Sequence, residues 1–145
     1  LMSVGLLSGS SMPLIDSIHG MWIGFDWSHS KAHFYKSLME SLTYDFGLSL
    51  ERMKAMYPEY EMSRVSTIGG GAKSRIWPQM CADAHRKIYG ILNREDVAMW
   101  GACILAGNAV GIYPDIRKAA DENVWVVKEF IPDEERSVVY DKYGA

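Results

Sequence analysis

The chain has 145 residues, a mass of 16.3 kDa, a formal net charge of −3 and a pI of about 5.8. Apolar residues make up 48% and charged residues 23%, values that exclude a disordered tail, a collagen-like chain and a disulfide scaffold. The acidic balance argues against nucleic acid as a partner, and no apolar run reaches the roughly 18 residues that span a bilayer. We therefore expect a soluble, cytoplasmic protein of one domain over residues 1–145, or a piece of a larger protein.

The first half of the chain is predicted to hold a loop-rich start, a short strand and a long helix. Residues 1–20 are rich in Ser and Gly, and residues 21–25 favour a strand. Ser28 and Ser30 are candidate N-caps for an amphipathic helix that stops at Pro58. Its apolar side chains recur at three- and four-residue steps. They include Leu38, Met39, Leu42, Phe46, Met53 and Met56.

The second half alternates strands, turns and helices. Strands are predicted at residues 64–68, 87–92 and 124–127. Helices are predicted to follow Ser74, Asn93, Tyr113-Pro114 and Pro132. Asn93 with Asp96 three residues later resembles a capping box, and Gly111 is a natural end for the helix that it opens. This alternation predicts the α/β class.

The turn at residues 68–74, Ile-Gly-Gly-Gly-Ala-Lys-Ser, has the most chemical content. Its glycines allow positive φ angles and leave no Cβ in the way of a ligand, and amides at a helix N-terminus suit phosphate or a polar heterocycle. Lys73 adds a cation and Ser74 a hydroxyl. Because Ala72 separates the glycines from the lysine, the stretch is neither a P-loop nor Gly-x-Gly-x-x-Gly. The local pattern is typical either of a nucleotide-binding turn or of a plain tight turn.

Four other polar residues are candidates for chemistry. His29 and His33 are four residues apart on one helix, a spacing compatible with a metal pair, but no third ligand lies near them in sequence. Packing and capping at the helix N-terminus is the favoured interpretation, and no metal site is predicted. Asp83 and Glu40 could act as catalytic carboxylates, although a solvated or capping role fits their amphipathic helices better.

Two apolar features are predicted to be structural. Cys81 and Cys103 both lie in apolar helical patterns, which favours buried free thiols over a disulfide or a metal site. Met99 and Trp100, beside a run of small residues, could touch an adenine ring, but packing in the core is the preferred interpretation.

Four motifs lie between residues 29 and 115. Residues 69–83 carry Gly-Gly-Gly-Ala-x-Ser and then Gln-x-x-Ala-Asp, and residues 95–106 contain a helix with Gly-Ala-x-x-x-Ala. Residues 29–44 read His-x-x-Ala-His and then Leu-x-Glu, and residues 111–115 follow the small-residue helix. In chain order these motifs resemble the FGGY carbohydrate kinase family, and the resemblance covers nearly the whole chain, from about residue 6 to 140. The Lys-Ser pair after the glycines is more similar to its xylulokinase and gluconokinase branches than to glycerol kinases.

The resemblance implies two actin-like, ribonuclease-H-like domains with ATP and sugar in the cleft between them. This chain looks like most of the second domain, which holds the nucleotide, with Mg²⁺ bound at the nucleotide phosphates and a sugar such as xylulose bound mainly by the other domain. The family's general-base Asp lies in that other domain, so no catalytic residue is expected here and the chain alone is expected to be inactive. The implied nucleotide-binding residues are Gly69, Gly70, Gly71, Ala72, Lys73, Ser74 and Arg75.

Two positions depart from the family pattern. Arg75 stands where relatives often place an Asn near the nucleotide, and residues 10–13 read Ser-Ser-Met-Pro where the family usually reads Glu-Arg-x-Pro. Two other functions stay open at this point: a non-catalytic actin-like module for binding or regulation, and a kinase of the same family for another polyol or an aldonate such as gluconate. A homodimer is also left open.

Overall fold

The computed structural model describes residues 1–5, 10–11 and 14–144. By its internal contacts it falls into two units, which consist mainly of Leu1–Tyr60 and Glu61–Tyr143. Within the described ranges, no helix combines the length and the apolar character needed to cross a membrane.

The first unit contains two small antiparallel strand pairs and one long helix. Strand β1 (Met2–Val4) pairs with β4 (Met21–Ile23), and β2 (Ser10–Ser11) pairs with β3 (Leu14–Ile15). Three of these short strands lie where the sequence predicted a loop. Helix α1 (Lys31–Met56) begins directly after Ser30, as predicted, and ends before Pro58.

The most buried side chains of α1 are polar. Ser37 is 3% exposed; its carbonyl accepts a hydrogen bond from Ser3 Oγ at 2.8 Å and its hydroxyl accepts one from Trp22 Nε1 at 3.1 Å. The predicted apolar stripe is only half buried near Leu38, and Phe46 is exposed further along. Two three-residue strands cover about 10 Å, whereas a 26-residue helix is about 39 Å long. The strand pair therefore reaches only the first turns of the helix.

The second unit is a three-stranded sheet with helices. Strands β5 (Arg64–Thr67) and β6 (Ile88–Leu92) are parallel, and β7 (Val126–Phe130) runs antiparallel to β6, in the order β5-β6-β7. Helix α2 (Trp77–His85) makes the crossover that a parallel pair requires. The remaining helices are α3 (Val97–Ala109), α4 (Ile116–Asn123) and α5 (Glu134–Gly144).

The core of this unit lies between α2 and the sheet. It is formed by Cys81 and Ala82 from the helix and by Tyr89 and Phe130 from β6 and β7. Val65, Trp77 and Ile91 pack against this cluster. The packing fixes α2 on the sheet and thereby fixes the turn between β5 and α2.

The segment that follows β6 differs from its prediction. Helix α3 begins at Val97 with Asp96 at its N-cap, so the predicted capping box at Asn93 is wrong. Asn93 instead exchanges hydrogen bonds with Trp125: its N–H donates to the Trp125 carbonyl at 2.9 Å, and its Oδ1 accepts from the Trp125 N–H at 3.1 Å. An Asn side chain can replace a backbone partner in this way. It extends the β6–β7 pairing, and β7 starts two residues later than predicted.

A matched pair of glycines in α3 gives a stability prediction. A Cβ added to Gly107 would lie 2.6 Å from Cδ2 of Tyr113, whereas one added to Gly101 would meet nothing within 4 Å. We expect Gly107→Ala to lower the free energy of unfolding by about 1 kcal/mol, since the Tyr113 ring must move. Gly101→Ala should raise it by about 0.5–1 kcal/mol through helix propensity. Urea unfolding of both variants checks this, and the same sign for both would contradict the packing of Tyr113 on α3.

Candidate functional site

The predicted glycine turn begins at the carboxyl end of β5. Gly69 has φ 74° and ψ −165°, a region of backbone conformation that is open essentially only to glycine. The chain then makes a short 3₁₀ turn over Gly70–Lys73. The N–H of Ala72 donates to the Gly69 carbonyl at 3.1 Å and the N–H of Ser74 donates to the Gly71 carbonyl at 3.1 Å. The strand therefore turns sharply away from the sheet at Gly69.

Ser74 joins this turn to α2. Its hydroxyl oxygen accepts hydrogen bonds from the N–H groups of Ile76 at 3.2 Å and Trp77 at 3.1 Å. A helix was predicted to follow Ser74 directly, but it begins later, at Trp77, and Ile76 is exposed. Pro78 lies in the first turn of α2, where its missing N–H would have no partner within the helix.

A cleft of about 310 Å³ opens beside the turn. Its walls are the turn, the carboxyl end of β6 with the segment that follows it, and one side chain of β7. The lining residues are 67–69, 72–73, 91–95 and Val127. The volume is at the lower end of the roughly 300–1,000 Å³ that small-molecule sites occupy, and the carboxyl ends of parallel strands are where α/β proteins bind ligands.

The cleft brings together three of the seven predicted site residues. Gly69, Ala72 and Lys73 line it, and Gly70, Gly71, Ser74 and Arg75 do not. A Cβ added to Gly70 would meet nothing within 4 Å, whereas one added to Gly71 would lie 3.1 Å from the Trp77 ring. Arg75 is exposed and has no hydrogen bond or ion pair with the described part of the chain.

Three charged side chains line the cleft. Lys73 Nζ pairs with Glu95 Oε2 at 2.6 Å, and this hydrogen bond and the carboxylate charge raise the pKa of Lys73. Arg94 donates from Nε to the Asn123 carbonyl at 3.0 Å, and its guanidinium lies 4.0 Å from the centre of the Trp100 ring. The cleft thus holds one cation paired with a carboxylate and one cation held by a carbonyl and an aromatic face.

Thr67 lies at the base of the cleft. Its hydroxyl oxygen is buried and has no hydrogen-bond partner among the described residues. Thr67, with residues 91–95, was missed by the sequence reasoning. The parallel order of β5 and β6 was the signal that could have found them, because it places the ends of both strands at one edge of the sheet.

The other predicted candidates have structural positions. His33 accepts a hydrogen bond from the Ser30 N–H at 3.0 Å through Nδ1, and the His29 ring packs edge-to-face against it with ring centres 5.4 Å apart, so the role in packing and capping at the helix N-terminus is confirmed. Glu40 pairs with Lys36 along α1. No group of three potential metal-ligating side chains occurs within the described ranges. Residues 10–13 were noted as differing from the family pattern, and of these residues 12–13 lie outside the described residues.

Asp83 is neither solvated nor in the cleft. It is 1% exposed, and its carboxylate accepts hydrogen bonds from Gln79 Nε2 at 2.8 Å, the Asp133 N–H at 2.9 Å and Arg136 Nε at 2.6 Å. Asp133 precedes α5, so Asp83 ties the start of that helix to α2. The solvated role is therefore wrong. Asp83 has a capping role, but at the start of α5 and not on its own helix α2.

Two predictions of burial are wrong. Cys81 is buried and free as expected, but Cys103 is free and exposed. Met99 is 69% exposed, so it does not pack in the core. Both residues lie on α3, whose buried residues are Ile104 and Gly107. An apolar helix pattern alone does not tell which of its faces is covered.

Known proteins resemble this chain in sequence and in fold. Residues 2–110 match the FGGY family of carbohydrate kinases, C-terminal domain. The chain is 33% identical over 138 residues to the xylulose kinase of Staphylococcus epidermidis, a match that covers 94% of this chain and 27% of that protein. The chain therefore spans about a quarter of the length of such relatives.

Solved structures show the fold. A ligand-bound xylulose kinase from Lactobacillus acidophilus superposes with a TM-score of 0.81 at 18% identity, covering 99% of this chain and 29% of that one. Plasmodium falciparum glycerol kinase with ADP gives a TM-score of 0.77 at 15% identity over 97% of this chain and 28% of that one. The α/β, actin-like fold expected from the sequence is confirmed, and with the family match over residues 2–110 the chain belongs to the FGGY family of carbohydrate kinases.

Proposed function

We propose that this chain supplies the nucleotide-binding half of the cleft of an ATP-dependent carbohydrate kinase. The observation that carries the proposal is the glycine turn at Gly69, which opens onto a cleft at the carboxyl ends of two parallel strands. Xylulose or a related ketopentose is the proposed sugar, since the S. epidermidis relative at 33% identity is a xylulose kinase.

The residues present fit a nucleotide. A Cβ added to Gly69 or Gly70 would enter open space, so the bare backbone there leaves room for a flat or polar group to approach. The cleft carries two cations and one carboxylate, a balance that suits an anionic ligand. In this proposal the turn over residues 69–75 holds ATP, and Mg²⁺ is bound at its phosphates.

In this proposal, this chain and the rest of the protein each supply part of the active site. ATP supplies the phosphoryl group, and this chain binds and orients the nucleotide. Within the described residues the cleft contains a single carboxylate, Glu95, and it is paired with Lys73. We therefore assign the general base and the sugar contacts to a preceding domain. Since phosphoryl transfer depends on positioning and charge stabilisation by both sides of a cleft, this chain alone should not turn over.

A substitution at Gly70 tests the nucleotide site. In the full-length protein that contains this chain, Gly70→Val should weaken ADP binding at least tenfold (about 1.4 kcal/mol), because its side chain would project from the turn directly after Gly69, which lines the cleft. Its thermal stability should stay unchanged, since a Cβ at this position meets no neighbour within 4 Å. Gly71→Val is the poorer test, because it would also collide with Trp77.

Gly101→Val is the matched control, because its added Cβ also meets nothing and the residue belongs to α3 rather than to the glycine turn. Isothermal titration calorimetry gives the ADP affinity, and ADP release with xylulose, gluconate or glycerol identifies the sugar. Unchanged ADP affinity in Gly70→Val would remove the turn from the nucleotide site. ADP release with gluconate alone would replace xylulose as the proposed substrate.

A further inference from the structure

The positive charge of Lys73 in the cleft is already paired with a carboxylate of this chain. Lys73 and Glu95 form an ion pair at 2.6 Å, and both side chains are more than half exposed. Glu95 accounts for the largest causes of the raised pKa of Lys73. A ligand anion that approached Lys73 would have to compete with a carboxylate already in contact with it.

Arg94 differs from Lys73 in its burial and in its lack of a carboxylate partner. It is partly buried, lines the same cleft, and forms no ion pair with any carboxylate in the described ranges. Of its five N–H donors, the one on Nε is used by the Asn123 carbonyl. The four donors on Nη1 and Nη2 have no partner within residues 1–5, 10–11 and 14–144.

The position of this guanidinium is set in advance. The Trp100 ring lies 4.0 Å below it and the Asn123 carbonyl fixes its Nε edge. A guanidinium held over an aromatic ring still has N–H donors for another partner, and two parallel N–H groups match the oxygens of a phosphate. Because the Arg94 side chain is already held in place, its pair of parallel N–H groups loses less conformational freedom on binding than an exposed lysine does.

We propose that Arg94 binds a phosphate group of the nucleotide through its free Nη1 and Nη2 donors, and that Lys73 remains paired with Glu95. This inference rests on the proposed nucleotide site and assigns to it a residue from the second strand end. The net charge of the three charged side chains in the cleft is +1, and with Lys73 paired that charge resides on Arg94.

Two probes separate the phosphate from the base. In the full-length protein, Arg94→Gln should weaken pyrophosphate binding about tenfold or more, the usual effect of losing a charge-assisted hydrogen bond. Its adenosine affinity should stay within about twofold. Arg94→Lys keeps the charge but not the pair of parallel N–H groups, so its pyrophosphate affinity should lie between those of the wild type and Arg94→Gln. Lys73→Gln should change pyrophosphate affinity by less than about threefold.

Arg117→Gln is the charge control, because Arg117 is exposed on α4 and outside the cleft. Wild-type pyrophosphate affinity in both Arg94 variants would overturn the inference, as would a greater loss from Lys73→Gln than from Arg94→Gln. An equal loss of adenosine and pyrophosphate would also overturn it, since Arg94 would then support the base. In each of these cases normal ADP binding by the wild type leaves the proposed function standing. A wild type that binds neither ADP nor adenosine would contradict both.

Discussion

Replacing Asp83 by Ala is expected to lower the free energy of unfolding by about 3 kcal/mol, the largest stability effect that the structure predicts for one side chain. The carboxylate is almost fully buried and accepts hydrogen bonds from Gln79, Arg136 and the backbone N–H of Asp133. Hydrogen bonds to a buried charge each stabilise by more than neutral ones. Alanine removes all of them at once and leaves a cavity beside α2.

The effect of this substitution should concentrate on α5. Asp133 stands just before the helix, and its own Oδ1 accepts from the Arg136 N–H at 3.0 Å. Losing Asp83 therefore frees the start of α5 from α2, so amide hydrogen exchange in residues 134–144 should accelerate more than exchange in β6. Urea unfolding measures the global change.

Two control variants define what Asp83 contributes. Asp83→Asn keeps an oxygen that can accept from the Asp133 N–H but removes the charge, so it should cost about half as much as Ala. Asp121→Ala, on the exposed side of α4, should stay within about 0.5 kcal/mol of the wild type. An Asp83→Ala protein as stable as the Asp121→Ala protein would show that the buried carboxylate does not hold α5.

Features controlled by neighbours in sequence could be predicted. Helix α1 begins after Ser30 and ends before Pro58, because a cap and a proline act within one turn. The turn at Gly69 was recognisable because consecutive glycines between a strand and a helix are typical of a tight turn with a positive φ angle. The order of four motifs also identified the family, which the match over residues 2–110 confirms.

Features that depend on pairing between distant segments could not be predicted. Asn93 is of a residue type that caps helices, and Asp96 follows at the spacing of a capping box. Trp125, 32 residues later, pairs with Asn93 as a strand neighbour instead. Arg94 and Glu95 became part of the cleft only because β6 lies parallel to β5. No local pattern marks such residues, whereas the topology of a βαβ unit does.

Burial was the least predictable property. The apolar stripe of α1 and the apolar helix α3 both predicted core positions, yet Phe46 and Met99 are exposed. Periodicity identifies a face that can be buried, but a covering element must also be present. The buried positions of Ser37 and Asp83 show the converse, since polar side chains are buried where each has hydrogen-bond partners.

Substituting Gly69 should give the second large loss of stability, about 2 kcal/mol for Gly69→Ala. The cause is the backbone alone, because a Cβ at this position would meet no neighbouring atom. With φ 74° and ψ −165°, the residue lies outside the left-handed helical region in which Asn is tolerated. Gly69→Asn should therefore be as unstable as Gly69→Ala, which thermal and urea unfolding of the two variants can compare directly.

The neighbouring glycine separates backbone strain from loss of ligand binding. Gly70 has no positive φ and equally open surroundings, so Gly70→Ala should leave the free energy of unfolding unchanged or raise it by about 0.4–1 kcal/mol. If Gly69→Asn proved much more stable than Gly69→Ala, the turn would have a left-handed helical conformation at Gly69. Equal losses for Gly69 and Gly70 would mean that the whole turn is strained. A loss of unfolding free energy confined to Gly69 means that this one residue sets the direction in which the chain leaves β5. It thereby also sets the position of the turn residues that line the cleft.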